Sequence, residues 1–215
     1  MTERGRFITL EGPEGSGKST AARHLADWLR VQGIATVLTH EPGGTPLGEE
    51  VRRIVLHMRG MSDDLDPRAD ALLYAAGRAQ HVARVIRPAL ERGEWVVCAR
   101  FADSSLAYQG AGYGNDMAEL RRLQEFATGG LRPDLTLLID VPVAVGLDRT
   151  RRRAEWNRFE NTEALGFFEQ VRDAYLRLAA EEPDRIVSVD GSGSVEEADA
   201  AIRSEVARRF ALEGN

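Results

Sequence analysis

The chain has 215 residues, 43% of them hydrophobic, and a formal net charge of −6 at pH 7. This length predicts a single domain over residues 1–215, and the acidic balance argues against non-specific nucleic-acid binding, which needs a basic surface. No apolar run approaches the ~20 residues of a membrane span, no signal peptide precedes the first predicted strand, and the single cysteine, Cys98, suits a reducing cytoplasm.

Short apolar segments alternate with longer helical patterns along the chain. Strands are predicted at residues 6–11, 35–39, 95–99, 135–141 and 185–189. Helices are predicted at about residues 18–32, 46–58, 67–91, 116–128, 142–153, 161–181 and 194–211. This alternation predicts an α/β fold in which helices cover both faces of a doubly wound parallel sheet. The carboxyl ends of the strands then form the edge where phosphates bind.

The first predicted strand leads into a glycine-rich segment. Residues 12–19 read GPEGSGKS, a complete G-x-x-x-x-G-K-[ST] phosphate-binding loop, and the helix that follows presents its N-terminus to anions. Among 28 lysine and arginine residues only Lys18 is a lysine, and its slim ammonium can reach phosphates inside a tight loop. The predicted phosphate-binding residues are Gly12, Gly15, Ser16, Gly17, Lys18, Ser19 and Thr20, with Ser19 placed to ligate Mg²⁺.

Glu14 lies within this loop, beside the predicted phosphates. A carboxylate in that position costs electrostatic energy unless a metal, a lysine or a substrate hydroxyl offsets it. We favour a contact with the metal or with an acceptor hydroxyl, and the alternative is a solvated loop residue.

The segment HEPGGTP at residues 40–46 follows the second predicted strand. Its prolines and glycines predict a rigid, tightly turned loop, and such a loop at the functional edge of the sheet favours a binding role. Arg52 lies about one helical turn into the next predicted helix. It can reach back to an anion, and a solvated surface arginine is an equal alternative.

Two pairs of residues with helical spacing carry groups that suit a flat heterocycle. Tyr74 and Arg78 share a helix face and combine a stacking ring with hydrogen-bond donors, although ordinary packing with a solvated tip stays open. Ser105 and Gln109 have the same spacing and can bond to a base edge. Arg100 emerges at the carboxyl end of the third predicted strand, where a bidentate phosphate contact is natural.

A basic segment at residues 149–158 interrupts this acidic chain. Arg149 and Arg153 share a helical face and can clamp a transferring phosphoryl group. The alternative is a nucleic-acid or solubility patch, which the net charge disfavours. A Ras-like GTPase is excluded because no second lysine is present to supply its Asn-Lys-x-Asp segment. The leading class is therefore a compact phosphotransferase acting on a small acceptor.

Taken together, these segments resemble the bacterial thymidylate kinase family over nearly the whole chain. The similarity rests on residues 11–20 (EGPEGSGKST), 41–45 (EPGGT), 103–110 (DSSLAYQG) and 131–136 (LRPDLT). It implies the P-loop nucleoside monophosphate kinase fold, with a five-stranded parallel sheet and a short lid at about residues 149–160. It also implies that ATP and dTMP give ADP and dTDP with Mg²⁺, in dTTP biosynthesis, and that the protein is a cytoplasmic homodimer that binds neither nucleic acid nor membranes.

The resemblance also implies roles for individual residues, by motif position. Arg153 is the leading catalytic lid residue, because the phosphate-binding loop offers Gly15 instead of an arginine. Tyr74 matches a thymine-stacking position, Arg78 would meet the base O4, and Tyr108 would disfavour a ribose 2′-hydroxyl. The implied catalytic residues are Lys18, Arg100, Arg153, Glu14 and Arg149; the dTMP-binding residues are Glu14, Glu41, Arg52, Tyr74, Arg78, Arg100, Ser105, Tyr108 and Gln109; and the metal-binding residues are Ser19 and Glu14.

One departure from the family lies at the end of the third predicted strand. The family usually has Asp-Arg there, and this chain has Ala99-Arg100. The change removes a carboxylate that is expected to lie close to both Mg²⁺ and the lysine of the loop. Three alternatives accompany the main hypothesis: a kinase with another acceptor such as dUMP; a nucleotide-binding protein without catalysis, which Ala99 keeps open; and nucleic-acid binding through residues 149–158.

Overall fold

The strands form one parallel sheet in this computed structural model, which describes residues 4–58, 65–152 and 162–212. Within these ranges the strands run in the order β2-β3-β1-β4-β5, and each neighbouring pair is parallel. The predicted five-stranded parallel sheet is confirmed. The strands are β1 (Phe7–Glu11), β2 (Thr36–His40), β3 (Trp95–Ala99), β4 (Leu135–Asp140) and β5 (Ile186–Asp190).

Helices connect the strands and cover the sheet. The predicted helix over residues 67–91 is confirmed over its whole length, with a π-helical stretch, Val82–Ile86, between two α-helical parts. Pro88 follows that stretch and has no N–H to bond back along the helix, which disturbs regular α-helical register. The α-helices are α1 (Lys18–Val31), α2 (Pro46–Met58), α3 (Pro67–His81), α4 (Arg87–Glu91), α5 (Ala102–Ser105), α6 (Met117–Thr128), α7 (Val143–Arg151), α8 (Thr162–Glu181) and α9 (Val195–Phe210).

One helical segment was not predicted from the sequence. It consists of α5 and a second π-helical stretch, Leu106–Gly112, which follows α5 directly. The segment begins three residues after β3 ends and contains Gly110 and Gly112. It therefore lacks the extended repeat of apolar residues at helical spacing from which helices are predicted. It carries all the residues of the DSSLAYQG motif, residues 103–110.

The core lies on both faces of the sheet, since alternate residues of a strand point in opposite directions. Ile8 and Leu10 of β1 pack in one cluster with Leu25 of α1. Phe7 of the same strand packs on the other face with Phe101, at a ring-centroid distance of 5.0 Å. This double cover fixes the central strand β1, and with it the loop that leaves its carboxyl end.

Cys98 is fully buried in this core. Burial raises the pKa of its thiol well above the ordinary value, which agrees with the role of a small core hydrophobe rather than a nucleophile. In the part of the chain that the structure describes, no helix is both long and apolar enough to cross a membrane.

Candidate functional site

The loop between β1 and α1 has the backbone that a phosphate cradle needs. Gly12, Gly15 and Gly17 have φ angles of +146°, +71° and +89°, a region that favours glycine. A Cβ atom on Gly15 would lie 1.9 Å from the carbonyl oxygen of Gly146 in α7. The loop therefore packs closely against the N-terminal half of α7. Position 15 requires glycine both for its positive φ angle and for this close approach.

Lys18 begins α1 and lies inside the loop. Its Nζ atom donates to the carbonyl oxygen of Pro13 at 2.7 Å and to Oγ of Ser16 at 3.0 Å, and the residue is only 6% exposed. Burial, followed by the charge of Arg100, lowers the pKa of Lys18 to about 7, although Glu14 and Glu11 act in the opposite direction. A bound phosphate would supply the negative charge that this ammonium lacks.

Ser19 and Thr20 follow Lys18 in the first turn of α1. Ser19 is exposed and Thr20 is partly buried. Both lie at the helix N-terminus that the phosphate-binding loop presents, where unpaired N–H groups and the positive end of the helix dipole meet.

Arg100 lies directly across from the loop and pairs with Glu14. Its Nη2 atom is 2.8 Å from Oε2 of Glu14 and 3.3 Å from the hydroxyl of Tyr108, and its guanidinium lies 4.9 Å from the centre of the Tyr108 ring. Burial opposes ionisation of Glu14, but the charges of Arg100 and Lys18 outweigh it and lower the pKa of that carboxyl. Three of the predicted catalytic residues thus form one charged cluster.

The backbone of Arg100 has a φ of +69°, which is uncommon for a residue with a side chain and costs about 1–2 kcal/mol. Strained residues of this kind concentrate at functional sites. The conformation turns the chain between β3 and α5 so that the arginine side chain faces the phosphate-binding loop.

Arg78 is held in a polar pocket, and only 1% of it is exposed. Nε donates to Glu41 at 2.8 Å, Nη1 donates to Ser105 at 2.9 Å and to Gln124, and Nη2 donates to the carbonyl oxygen of Phe101 at 2.9 Å. The structure thus brings together the predicted residues Glu41, Arg78 and Ser105. Gln124 was not predicted, because nothing in its sequence context distinguishes it from other polar residues of α6.

Glu41 is the hub of this pocket. Its second carboxylate oxygen lies 2.9 Å from Nδ1 of His81, whose Nε2 lies 2.7 Å from the hydroxyl of Thr39. Both Glu41 and His81 are buried. The spacing of Arg78 and His81 on the same helix, α3, lets both reach the same carboxylate.

The structure gives the other predicted dTMP-binding residues separate surroundings. Gln109 is buried and donates to Asp70 at 3.0 Å. Arg52 lies 3.4 Å from the carbonyl oxygen of Pro42, so it does reach back to the loop after β2. Tyr74 is partly buried on α3, four residues before Arg78.

The basic segment is only partly described. Arg149, at the end of α7, donates to the carbonyl oxygens of Gly191 at 2.7 Å, Ser192 at 3.2 Å and Gly193 at 3.0 Å. Its guanidinium thereby joins α7 to the loop between β5 and α9. Arg153 and most of the predicted lid at 149–160 lie outside the described residues.

One buried residue next to the loop was not assigned a role from the sequence. Glu11, the last residue of β1, accepts hydrogen bonds from Phe101, Ser104 and Tyr175. Burial, followed by the charge of Asp103, raises the pKa of Glu11 to about 7. The position of Glu11 directly before Gly12 was visible in the sequence, but its contacts with Tyr175, 164 residues further on, were not.

A parallel α/β sheet with a phosphate-binding loop after its central strand, facing a partly buried arginine paired with a carboxylate, defines a P-loop phosphotransferase. The family model described as thymidylate kinase matches residues 10–202. The chain is 52% identical to the thymidylate kinase of Pseudomonas fluorescens strain Pf-5 over 188 residues, 87% of this chain and 88% of that protein. It is 47% identical to that of Magnetococcus marinus strain MC-1 over 96% of this chain and 98% of the relative. The chain belongs to the thymidylate kinase family.

Proposed function

We propose that this protein transfers the γ-phosphoryl group of ATP to dTMP, giving ADP and dTDP. The observation that carries the proposal is the pairing of Arg100 with Glu14 at 2.8 Å, directly across from the loop that holds Lys18. This arrangement supports two adjacent anion sites, with Lys18 on the donor phosphates and Arg100 on the acceptor phosphate. The family membership supports the same reaction.

In the proposed reaction an oxygen of the dTMP phosphate attacks the γ-phosphorus of ATP. The new P–O bond forms while the bond to the oxygen bridging the β- and γ-phosphates breaks, and the departing ADP keeps that electron pair. The phosphate monoester is largely ionised near pH 7 (second pKa about 6), so no strong general base is needed. Lys18, Arg100 and the proposed lid arginines, Arg153 and then Arg149, act by positioning phosphates and neutralising charge.

We assign recognition of the thymine base to Tyr74, Arg78, Ser105 and Gln109, with Glu41 holding Arg78. The assignment follows the motif positions of the family. In this structure Arg78 is 1% exposed, and its guanidinium donates to Glu41, Ser105, Gln124 and the carbonyl oxygen of Phe101, so a contact with the base must replace one of these bonds. Tyr108, beside Arg100, is assigned to the sugar, and Arg52 to the dTMP phosphate.

We assign the Mg²⁺ site to Ser19 and Glu14. Mg²⁺ is usually bound through one or two protein oxygens, substrate phosphates and water. An exposed serine at the start of α1 and a carboxylate five residues earlier in the same loop fit that donor set. Bound to the nucleotide, the ion neutralises phosphate charge. Glu14 must then share its carboxylate between the ion and Arg100.

ADP formation from ATP and Mg²⁺, measured with and without dTMP, tests the activity. We expect turnover to depend on dTMP, both in this chain and in Ala99→Asp. Ala99 is 5% exposed and packs in the apolar cluster with Ala21 and Ala22 of α1, so a carboxylate there enters the core and is expected to lower stability.

The same assay separates the alternatives. Turnover that appears only in Ala99→Asp would mean that this chain binds nucleotides without transferring phosphate. Faster turnover with dUMP than with dTMP would assign another acceptor. ADP formation that neither monophosphate increases, in either protein, would contradict the proposed activity.

We propose that the protein is a cytoplasmic homodimer, in which a second copy covers α2, α3 and α6. These helices pack together, with α3 between the others, and they carry Leu47, Leu72 and Phe126, which are 46%, 57% and 86% exposed. Light scattering is expected to give twice the chain mass for the parent and the single mass for Phe126→Arg. Val31→Arg, at an 83% exposed site on α1, is the control and is expected to leave the mass unchanged. A monomeric parent would contradict the proposal.

A further inference from the structure

Glu11 is buried at the end of β1 with both carboxylate oxygens hydrogen-bonded. Oε1 accepts from the backbone N–H of Phe101 at 2.7 Å and of Ser104 at 3.3 Å. Oε2 accepts from the hydroxyls of Ser104 at 2.6 Å and Tyr175 at 2.9 Å. A single side chain thus fastens α5, and through Tyr175 also α8, to the central strand.

Hydrogen bonds to β1 hold the backbone at Arg100 and at the residue that follows it. The N–H of Arg100 donates to the carbonyl oxygen of Leu10 at 2.9 Å, and the next N–H, that of Phe101, donates to Glu11. The backbone between these two anchors adopts the left-handed conformation noted above, with φ at +69°. The side chain of Arg100 then lies against Tyr108 and reaches Glu14.

We propose that Glu11 is a positioning residue for Arg100, which holds the turn over residues 100–104 against β1 so that the guanidinium faces the acceptor phosphate. The inference rests on the proposed function, in which Arg100 binds that phosphate. Glu11 itself lies behind the turn, fully covered by protein, and acts through Arg100. No other described side chain bonds to the N–H groups of both Phe101 and Ser104.

The length of the Glu11 side chain matters more than its charge. Both backbone bonds require an acceptor oxygen at a fixed reach from β1, which a glutamine also supplies. Its amide group can donate to the hydroxyl of Ser104 or Tyr175, since a hydroxyl can accept as well as donate. The raised pKa of Glu11 agrees with a site that does not favour the ionised form.

Two variants separate the effect of the length of the Glu11 side chain from the effect of its charge. Glu11→Gln keeps the length and loses the charge, whereas Glu11→Asp keeps the charge and shortens the side chain by one methylene. Calorimetric titration measures the affinity of each for dTMP and for thymidine, which lacks the phosphate. We expect Glu11→Asp to weaken dTMP binding and lower kcat, each by about tenfold or more, because misplacement by about 1 Å can cost 10²-fold. Thymidine affinity is expected to stay the same, and Glu11→Gln to stay within about threefold for both ligands.

Each result decides between the proposals. Arg100→Ala is expected to weaken dTMP but not thymidine, and adding Glu11→Asp to it is expected to cause no further loss. If Arg100→Ala binds dTMP normally, the phosphate role is wrong and the positioning role falls with it. If Arg100→Ala weakens dTMP but Glu11→Asp does not, only the positioning role is wrong. Equal loss of dTMP and thymidine affinity, or a Glu11→Gln variant as impaired as Glu11→Asp, would also overturn it.

Folding is checked by circular dichroism, with two further variants. Tyr175→Phe removes one donor to Glu11 and keeps the ring in the core; we expect dTMP affinity to fall by about two- to fivefold, as for one lost hydrogen bond, with thymidine unaffected. An unchanged dTMP affinity would contradict the proposal even if Glu11→Asp does not fold. Asp199→Asn alters a 9% exposed carboxylate that pairs with His24 between α1 and α9, and as a control it is expected to bind both ligands normally.

Discussion

Lys18→Ala is expected to lower kcat by about 10³-fold, the upper range for loss of one preorganised transition-state donor. The ammonium of Lys18 is held inside the phosphate-binding loop by Pro13 and Ser16, and the variant would leave the transferring group without that positive charge. Steady-state ADP formation at saturating dTMP measures the effect, and equilibrium titration with ATP separates it from loss of nucleotide affinity.

The companion variant Lys18→Arg tests shape at constant charge. Lys18 is 6% exposed, so the larger planar guanidinium has no space in the loop, and we expect turnover as low as in Lys18→Ala. Arg23→Ala, an exposed position in the next turn of α1, is the matched control and is expected to keep parental turnover. Lys18→Arg activity close to that of the parent would show that charge alone is sufficient and would contradict the steric argument.

Gly15→Ala is expected to weaken ATP binding by about tenfold or more and to destabilise the fold, with backbone strain alone costing about 1–3 kcal/mol. The added Cβ atom would lie 1.9 Å from the carbonyl oxygen of Gly146, and the residue has a φ of +71°. Either the loop or α7 must move, and both movements disturb the phosphate cradle. Urea unfolding and ATP titration measure the two effects.

Gly166→Ala is the matched control for this variant. Gly166 lies in α8, and its added Cβ atom would meet nothing within 4 Å. Alanine in a helix interior is more stable than glycine by roughly 0.5–1 kcal/mol, so we expect a small gain in stability with unchanged ATP affinity. If Gly15→Ala binds ATP as tightly as Gly166→Ala, the close packing of the loop on α7 is not needed for the site.

The sheet and the phosphate-binding loop were predictable because their signals are local. Five short apolar runs separated by helical patterns predicted the strands, and the glycine spacing before Lys18 predicted a loop whose glycines adopt positive φ angles. The helix predicted over residues 67–91 was confirmed, but its π-helical stretch, Val82–Ile86, was not predicted, because the influence of Pro88 on helical register depends on its packing.

The contacts that complete the site were not predictable, because they join distant parts of the chain. Arg78 bonds to Glu41, 37 positions earlier, and to Gln124, 46 positions later. Glu11 bonds to residues 90 and 164 positions away. Polar residues of these types are common on any surface, and only the fold shows that they are buried together. The assignments of Arg153 and of the ligand-binding residues stay predictions.

The sole lysine, Lys18, offers a position for selective chemical modification inside the phosphate-binding loop. An amine with a pKa near 7 is substantially uncharged, and so nucleophilic, in neutral solution, and apart from the α-amino group the chain offers an acylating reagent no other amine. Phosphate bound over Lys18 would shield it and restore its proton. Because Lys18 is 6% exposed, the reagent must be small enough to enter the loop. The extent of acylation by such a reagent would report the fraction of vacant nucleotide sites, without any engineered label.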